Sequence, residues 1–477
     1  MSPEGSGYGS MTAGVAEAPT PAGNAAGRRW WCELAWLGGP DATRGVLLEA
    51  GDDGRLSAVT PGVLSAPDGA EVLAGLSLPG LVNAHSHAFH RGLRGRTQTD
   101  GGTFWTWREQ MYALAGRLDP DRYLALATAT YAEMALAGIT TVGEFHYLHN
   151  DPAGRAYADD AMGQAIVEAA SRAGIRISLL DTCYLQGGIS GPGRDLDAVQ
   201  RRFSDGMVGE WARRVERIAE HPTLRVGAAI HSVRAVDPGA IGSIAEWARQ
   251  RGAPLHAHVS EQPAENEACL AAYGCTPTGL LAEHGALGEQ FSAVHATHLT
   301  AGDIGLLGSS GCTVCFCPTT ERDLADGIGP AGELRAAGAG LCLGSDSHAV
   351  IDLWEEARGV ELDERLATGR RGGHDPVELL SDATSRGAES LGWAGGGRLD
   401  VGAPADFCTL DTSHPCLAGT FGPGGVGAAA AAVFAGAAAA VTDVVVAGRR
   451  VVAGGEHLAL GDVGAALAAA VEAAWRD

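Results

Sequence analysis

A chain of 477 residues, 45% of them hydrophobic, is too long for one minimal domain and suits a large barrel with a smaller appendage. Its formal charge of −23, from 57 acidic against 34 basic residues, excludes the basic face that a nucleic-acid binder needs. An anionic small molecule held by locally placed arginines stays compatible with it. Lysine is absent, which excludes a Schiff-base lysine, a P-loop lysine and a carboxylated-lysine bridge between two metals.

Residues 1–28 are rich in Gly, Ala, Pro and Ser and read as a disordered tail. They hold no apolar leader segment, so the ten cysteines are expected to be reduced thiols of a cytoplasmic protein. No apolar run has membrane-spanning length, and no membrane partner is expected. Residues 29–78 contain short apolar runs broken by Gly, Asp and Pro, as a small β unit would.

From 79 to 389 short apolar strands alternate with helical stretches. Strands are expected at 81–85, 140–145, 176–181, 225–231, 255–260, 292–298, 312–317 and 340–346. Helices such as 121–137 and 159–173 lie between them, stopped by Gly138 and Gly174. Eight strands alternating with helices predict an α/β fold, a (β/α)8 TIM-type barrel. Cys312, Cys315 and Cys317 fall in the apolar run CTVCFC and read as buried strand residues rather than a metal cluster. Residues 390–477 turn back to short strands and tight turns, and with 29–78 they are expected to form a composite β-sandwich domain. An Ala-rich stretch at 427–440 and an Ala-rich helix at 463–475 accompany them.

The chemistry-bearing residues sit at strand ends. His85 and His87 are two apart at the end of the first barrel strand, so their side chains point the same way. His231 ends the fourth strand, His258 the fifth, His295 the sixth and Asp346 the eighth. Barrel enzymes place their chemistry at this rim. His85, His87, His258 and Asp346 are therefore the expected ligands of one divalent metal; three imidazoles and a carboxylate suit Zn²⁺, and Fe²⁺ also fits. His256 competes with His258. His258 is chosen because Glu261 then follows by three residues and can shuttle the proton of a metal-activated water; His256 reads as a packed barrel residue.

The segments LPGLVNAHSHAFHRGLRGRT, AGITTVGEFHYLH, HAHVSEQ, VHATH, GSDSH and VGAPADF together resemble the amidohydrolase superfamily. Within it, FWTWREQMY, GEFHYLHN, LLDTCYLQGG and HSVRAV resemble the N-formimidoyl-L-glutamate deiminase family, enzymes of histidine breakdown. The resemblance implies hydrolysis of a formimino group with release of ammonia, and a homodimer. It implies that Asp346 orients the nucleophile and that His295 stabilises charge on the attacking oxygen. A dicarboxylate substrate calls for fixed cations, and Arg108 and Arg234 are the candidates for bidentate clamps. Tyr147 and His231 match family residues that reach the substrate. His90 stands where some members have a substrate-contacting Gln, a departure that makes this contact pH-dependent. An alternative is a related deaminase or chlorohydrolase acting on a purine, pyrimidine or triazine ring.

Overall fold

The computed structural model describes residues 28–98, 101–189 and 195–476; the expected N-terminal tail lies outside them except for Arg28. Eight strands form one all-parallel sheet in sequence order: β5 (Leu81–Ser86), β6 (Ile139–His146), β7 (Arg176–Cys183), β8 (Leu224–Ile230), β9 (Leu255–Val259), β10 (Phe291–His295), β11 (Thr313–Phe316) and β12 (Gly340–Leu343). β5, β6, β7 and β9 are buried along their whole length. Strands covered on both faces have no solvent side to encode, which is why these segments read as continuous apolar runs.

Helices fill the connections. Pro120–Leu136 starts on Asp119, whose carboxylate accepts the Arg122 N–H, with Pro120 pre-set for the first turn. Ala161–Ala173 stops at Gly174, which takes the left-handed conformation at φ 74°. No helix among the described residues is long and apolar enough to cross a membrane.

Between β12 and β5 a single parallel bridge, Ser86 to Asp346, joins the two edges. There the Asp346 N–H donates to the His85 carbonyl at 3.0 Å. The seam of the barrel thus runs through three of the four expected metal ligands.

The two chain ends share a second eight-stranded sheet. β1 (Arg28–Ala35), β2 (Thr43–Ala50), β3 (Leu56–Thr60) and β4 (Glu71–Pro79) join β13 (Phe407–Leu410), β14 (Val441–Val446), β15 (Arg449–Ala453) and β16 (Glu456–His457), in the order β16-β15-β14-β13-β4-β1-β2-β3. This composite unit is one continuous hydrogen-bonded ladder. Gly75 shows why its central strand tolerates no side chain there: at φ 106°, an added Cβ would lie 2.2 Å from the Leu410 carbonyl oxygen. A satellite core of Trp30, Leu48, Phe407 and Val445 fills the sheet, with the Trp30 and Phe407 rings edge-to-face at 5.1 Å.

Both Ala-rich segments pack on barrel helices. Ala428–Ala435 lies against Leu353–Thr368 and Pro376–Asp382, and Val463–Trp475 lies against Pro120–Leu136. Small side chains allow this close approach, and the Trp475 indole donates to the Gly92 carbonyl at 2.9 Å.

The barrel and the second sheet are tied by one buried ion pair. Arg176 of β7 donates Nε to Asp406 Oδ2 at 2.5 Å and Nη2 to Oδ1 at 3.1 Å, while its Nη1 reaches the Pro222 carbonyl. Both side chains are 7% exposed. Removing Arg176 leaves the Asp406 charge buried without a counter-charge among the described residues, held only by the Ala447 N–H at 2.7 Å. Arg176→Met is therefore expected to lower unfolding stability by about 3–5 kcal/mol, read as a lower denaturant midpoint; a loss under 1 kcal/mol would refute the role given to this pair.

Candidate metal centre and cleft

The strand ends deliver side chains to one rim. His85 and His87 come from β5, His258 from β9, His295 from β10, and Asp346 follows β12. The chain turns sharply to achieve this: Ser260, His295, Ala296, Asp346 and His348 all have positive φ, between 38° and 66°. Non-glycine residues hold this conformation only where the surroundings enforce it, and such strain concentrates at functional sites.

One ligand atom each from His85, His87, His258 and Asp346 lies within 4.8 Å of all the others, and all four residues are buried. The Nε2 atoms of His85 and His258 are 3.1 Å apart. Each Nε2 of His85 and His87 is 3.4 Å from Asp346 Oδ1. The outer nitrogens of two rings are tied to backbone: His87 Nδ1 donates to the Phe145 carbonyl and His258 Nδ1 to the His231 carbonyl, both at 2.9 Å. Those bonds leave the Nε2 lone pairs facing inward. Burial holds all three imidazoles well below the usual histidine range, His87 at about 3, and repulsion from neighbouring imidazoles lowers them further. Neutral lone pairs and a carboxylate oxygen crowded together repel one another unless a cation sits between them. The donor set therefore fits a metal ion. Gly344 leaves space beside it, since a Cβ there would lie 2.7 Å from the His85 Cβ.

Beside this set stand Glu261 and His295. His295 Nε2 is 3.8 Å from Glu261 Oε1 and 3.8 Å from Asp346 Oδ2, and its Nδ1 is 3.4 Å from Glu321 Oε1. Burial alone would lower the His295 pKa, but Glu261, Glu321 and Asp346 outweigh it and raise it to about 10. His256 lies apart, its Nε2 on the Ser390 carbonyl at 2.9 Å, as a packed barrel residue does.

A cleft of about 240 Å³ opens from the centre, and Arg108, Tyr147, His231, Arg234 and His90 all line it with His87, His258, Glu261, His295 and Asp346. His90 Nε2 and the Tyr147 hydroxyl are 2.9 Å apart. The Arg108 guanidinium lies over the rings of Trp105 and Tyr112, at 5.4 and 4.9 Å. Arg234 differs from a free clamp. Its Nη2 donates to Glu261 Oε2 at 3.1 Å and its Nε is 3.7 Å from Glu265 Oε1, so it also holds the Glu261 carboxylate in place.

Sequence reasoning passed over several residues that shape this centre. Glu265 sits one helical turn after Glu261, a spacing that could have flagged it. Glu144, buried and pushed up to about 7 chiefly by burial, accepts from the Ser86 hydroxyl and the Ala88 N–H, both at 2.8 Å. His348 links Ser86 at 3.1 Å to Ser345 at 2.9 Å. Cys312, Cys315 and Cys317 are buried as expected, yet Cys317 comes within ligand reach of His295 and Asp346. Burial pushes its thiol far up, and a neutral thiol is a poor ligand.

Residues 76–451 match the amidohydrolase family. The chain is 38% identical, over 427 residues, to the formimidoylglutamate deiminase of Pseudomonas aeruginosa, covering 87% of this chain and 92% of that protein. The crystal structure of an amidohydrolase from Brucella melitensis superposes with a TM-score of 0.83 at 31% identity, covering 94% of this chain and 100% of that one. An adenosine deaminase from Xanthomonas campestris, solved with bound zinc, has the same fold at a TM-score of 0.77 and 24% identity, covering 93% and 97% of the two chains.

The two strand-five histidines are separable by metal analysis. His258→Ala is expected to abolish stoichiometric metal retention after dialysis, while His256→Ala keeps it; the reverse result would exchange their roles.

Proposed function

The chain belongs to the amidohydrolase family, and on that premise we propose that it hydrolyses N-formimidoyl-L-glutamate to N-formyl-L-glutamate and ammonia, a step of histidine degradation. The observation that carries this reading is the pairing of the convergent His85, His87, His258 and Asp346 with a cleft that also presents two guanidinium groups. The 38% identity to a formimidoylglutamate deiminase supports it.

His85, His87, His258 and Asp346 would hold the metal, and zinc suits this donor set best. When bound, the ion supplies Lewis-acid chemistry and makes hydroxide available near neutral pH. Glu261 stands where it can take the proton of the attacking water and pass it to the departing nitrogen; Arg234 keeps its carboxylate aimed there. His295 faces the same space and stands where it can offer a hydrogen bond to the oxygen on which charge develops. Arg108 and Arg234 match the substrate's two carboxylates, and Tyr147, His231 and His90 complete the wall.

The aromatic lining, with Phe104, Trp105, Trp107 and Tyr184, favours a second reading, deamination of a purine or related ring. A guanidinium already stacked over Trp105 and Tyr112 occupies part of that surface, which is why the dicarboxylate is preferred.

Ammonia release from N-formimidoyl-L-glutamate by metal-replete protein tests the assignment. Glu261→Gln is expected to reduce kcat about a hundred- to ten-thousandfold with metal content unchanged. Release from guanine or adenosine that survives Arg108→Ala, with none from the formimino compound, would support the ring reading instead.

A further inference from the structure

One wall of the cleft carries a hydrogen-bond arrangement with a defined direction. Gln200 is 3% exposed. The Asp197 N–H donates to its Oε1 at 2.9 Å, which fixes the orientation of the amide. Its Nε2 donates to the hydroxyl oxygens of Tyr112, at 3.3 Å, and Tyr184, at 3.2 Å. An amide nitrogen has two hydrogens, and both are used. The Tyr112 oxygen thus accepts from Gln200, and its own proton is left for the cleft that Tyr112 lines.

The position of that proton says what it meets. The Tyr147 ring is 5.1 Å from His87, Phe203 is 5.0 Å from Tyr147, and Tyr112 is 5.8 Å from Phe203. Tyr112 is thus at the outer end of a row of rings that starts at the ligand set. In a formimino amino acid the α-carboxylate lies close to the reacting carbon and the side-chain carboxylate lies two carbons further out. Arg108, 4.9 Å from the Tyr112 ring centroid, brings positive charge to the same end.

We propose that Tyr112, oriented by Gln200 and flanked by Arg108, donates a hydrogen bond to the side-chain carboxylate of the substrate and so selects a dicarboxylate over a derivative with a neutral side chain. This rests on the deiminase reading. Gln200 acts through Tyr112 and is a positioning residue.

The test compares wild type and Tyr112→Phe on N-formimidoyl-L-glutamate and on N-formimidoyl-L-2-aminobutyrate, which lacks the outer carboxylate. A hydrogen bond to a charged group corresponds to about a ten- to hundredfold change in affinity. Tyr112→Phe should raise KM for the glutamate compound by that amount, with kcat within twofold, and should leave the kinetics on the aminobutyrate compound at wild-type values. Gln200→Glu keeps the shape but can only accept, so it draws both phenol protons toward itself and should raise KM at least as much. An unchanged KM in Tyr112→Phe, or an equal rise on both compounds, overturns the inference while the deiminase reading stands. Wild-type protein that releases no ammonia overturns the deiminase reading, and this inference with it.

Discussion

The structure depends on how the last barrel strand meets the first. β12 and β5 share a single parallel bridge, at Ser86 and Asp346, and the rest of the seam is closed by side chains. Ser86 donates its hydroxyl to Glu144, so it must accept from His348 Nε2. His348 Nδ1 is then an acceptor, served by the Ser345 hydroxyl, and Ser345 accepts from Asn83 Nδ2 at 2.7 Å. Each member has one role consistent with all the others. This chain holds Asp346 against His85 and His87, residues that only closure of the barrel brings together.

From that closure the cleft acquires two ends of opposite character. Glu261, Glu321 and Asp346 surround His295 on the metal side. Burial first and then Glu261 push Asp326 up to about 9, a consequence of the negative charge already gathered there. Such a corner welcomes a metal ion and a departing nitrogen. The opposite wall presents Arg108 and the phenols of Tyr112 and Tyr184, and suits carboxylates. A chain of net charge −23 can therefore serve an acidic substrate, because the sign that matters is set locally.

Much of this was legible in the sequence for identifiable reasons. Strands buried on both faces appear as short apolar runs, and a side chain at the end of such a run points to the rim; hence His85, His87, His258, His295 and Asp346 are legible as rim residues. The spacing of Glu261 also separated His258 from His256. Residues whose role comes from a partner distant in the chain were not legible. Glu144, His348 and Gln200 sit in ordinary local contexts, and only the fold gives them partners. The same holds for Arg234: its pairing with Glu261 and Glu265 depends on the turn after β9, where Ser260 has positive φ. Helix Val463–Trp475 reads as generic, yet it anchors the turn after His87 through Trp475 and Gly92.

The central claim is that three imidazoles and one carboxylate hold a single ion while the nearby thiols stay out of its shell. X-ray absorption at the metal edge of zinc-loaded protein addresses it directly. The account predicts one ion per chain with a shell of nitrogen and oxygen only, at about 2.0–2.2 Å, and the multiple scattering of imidazole rings. A sulfur neighbour at about 2.3 Å, which would bring Cys317 into the shell, or a second ion alongside the first, would contradict it.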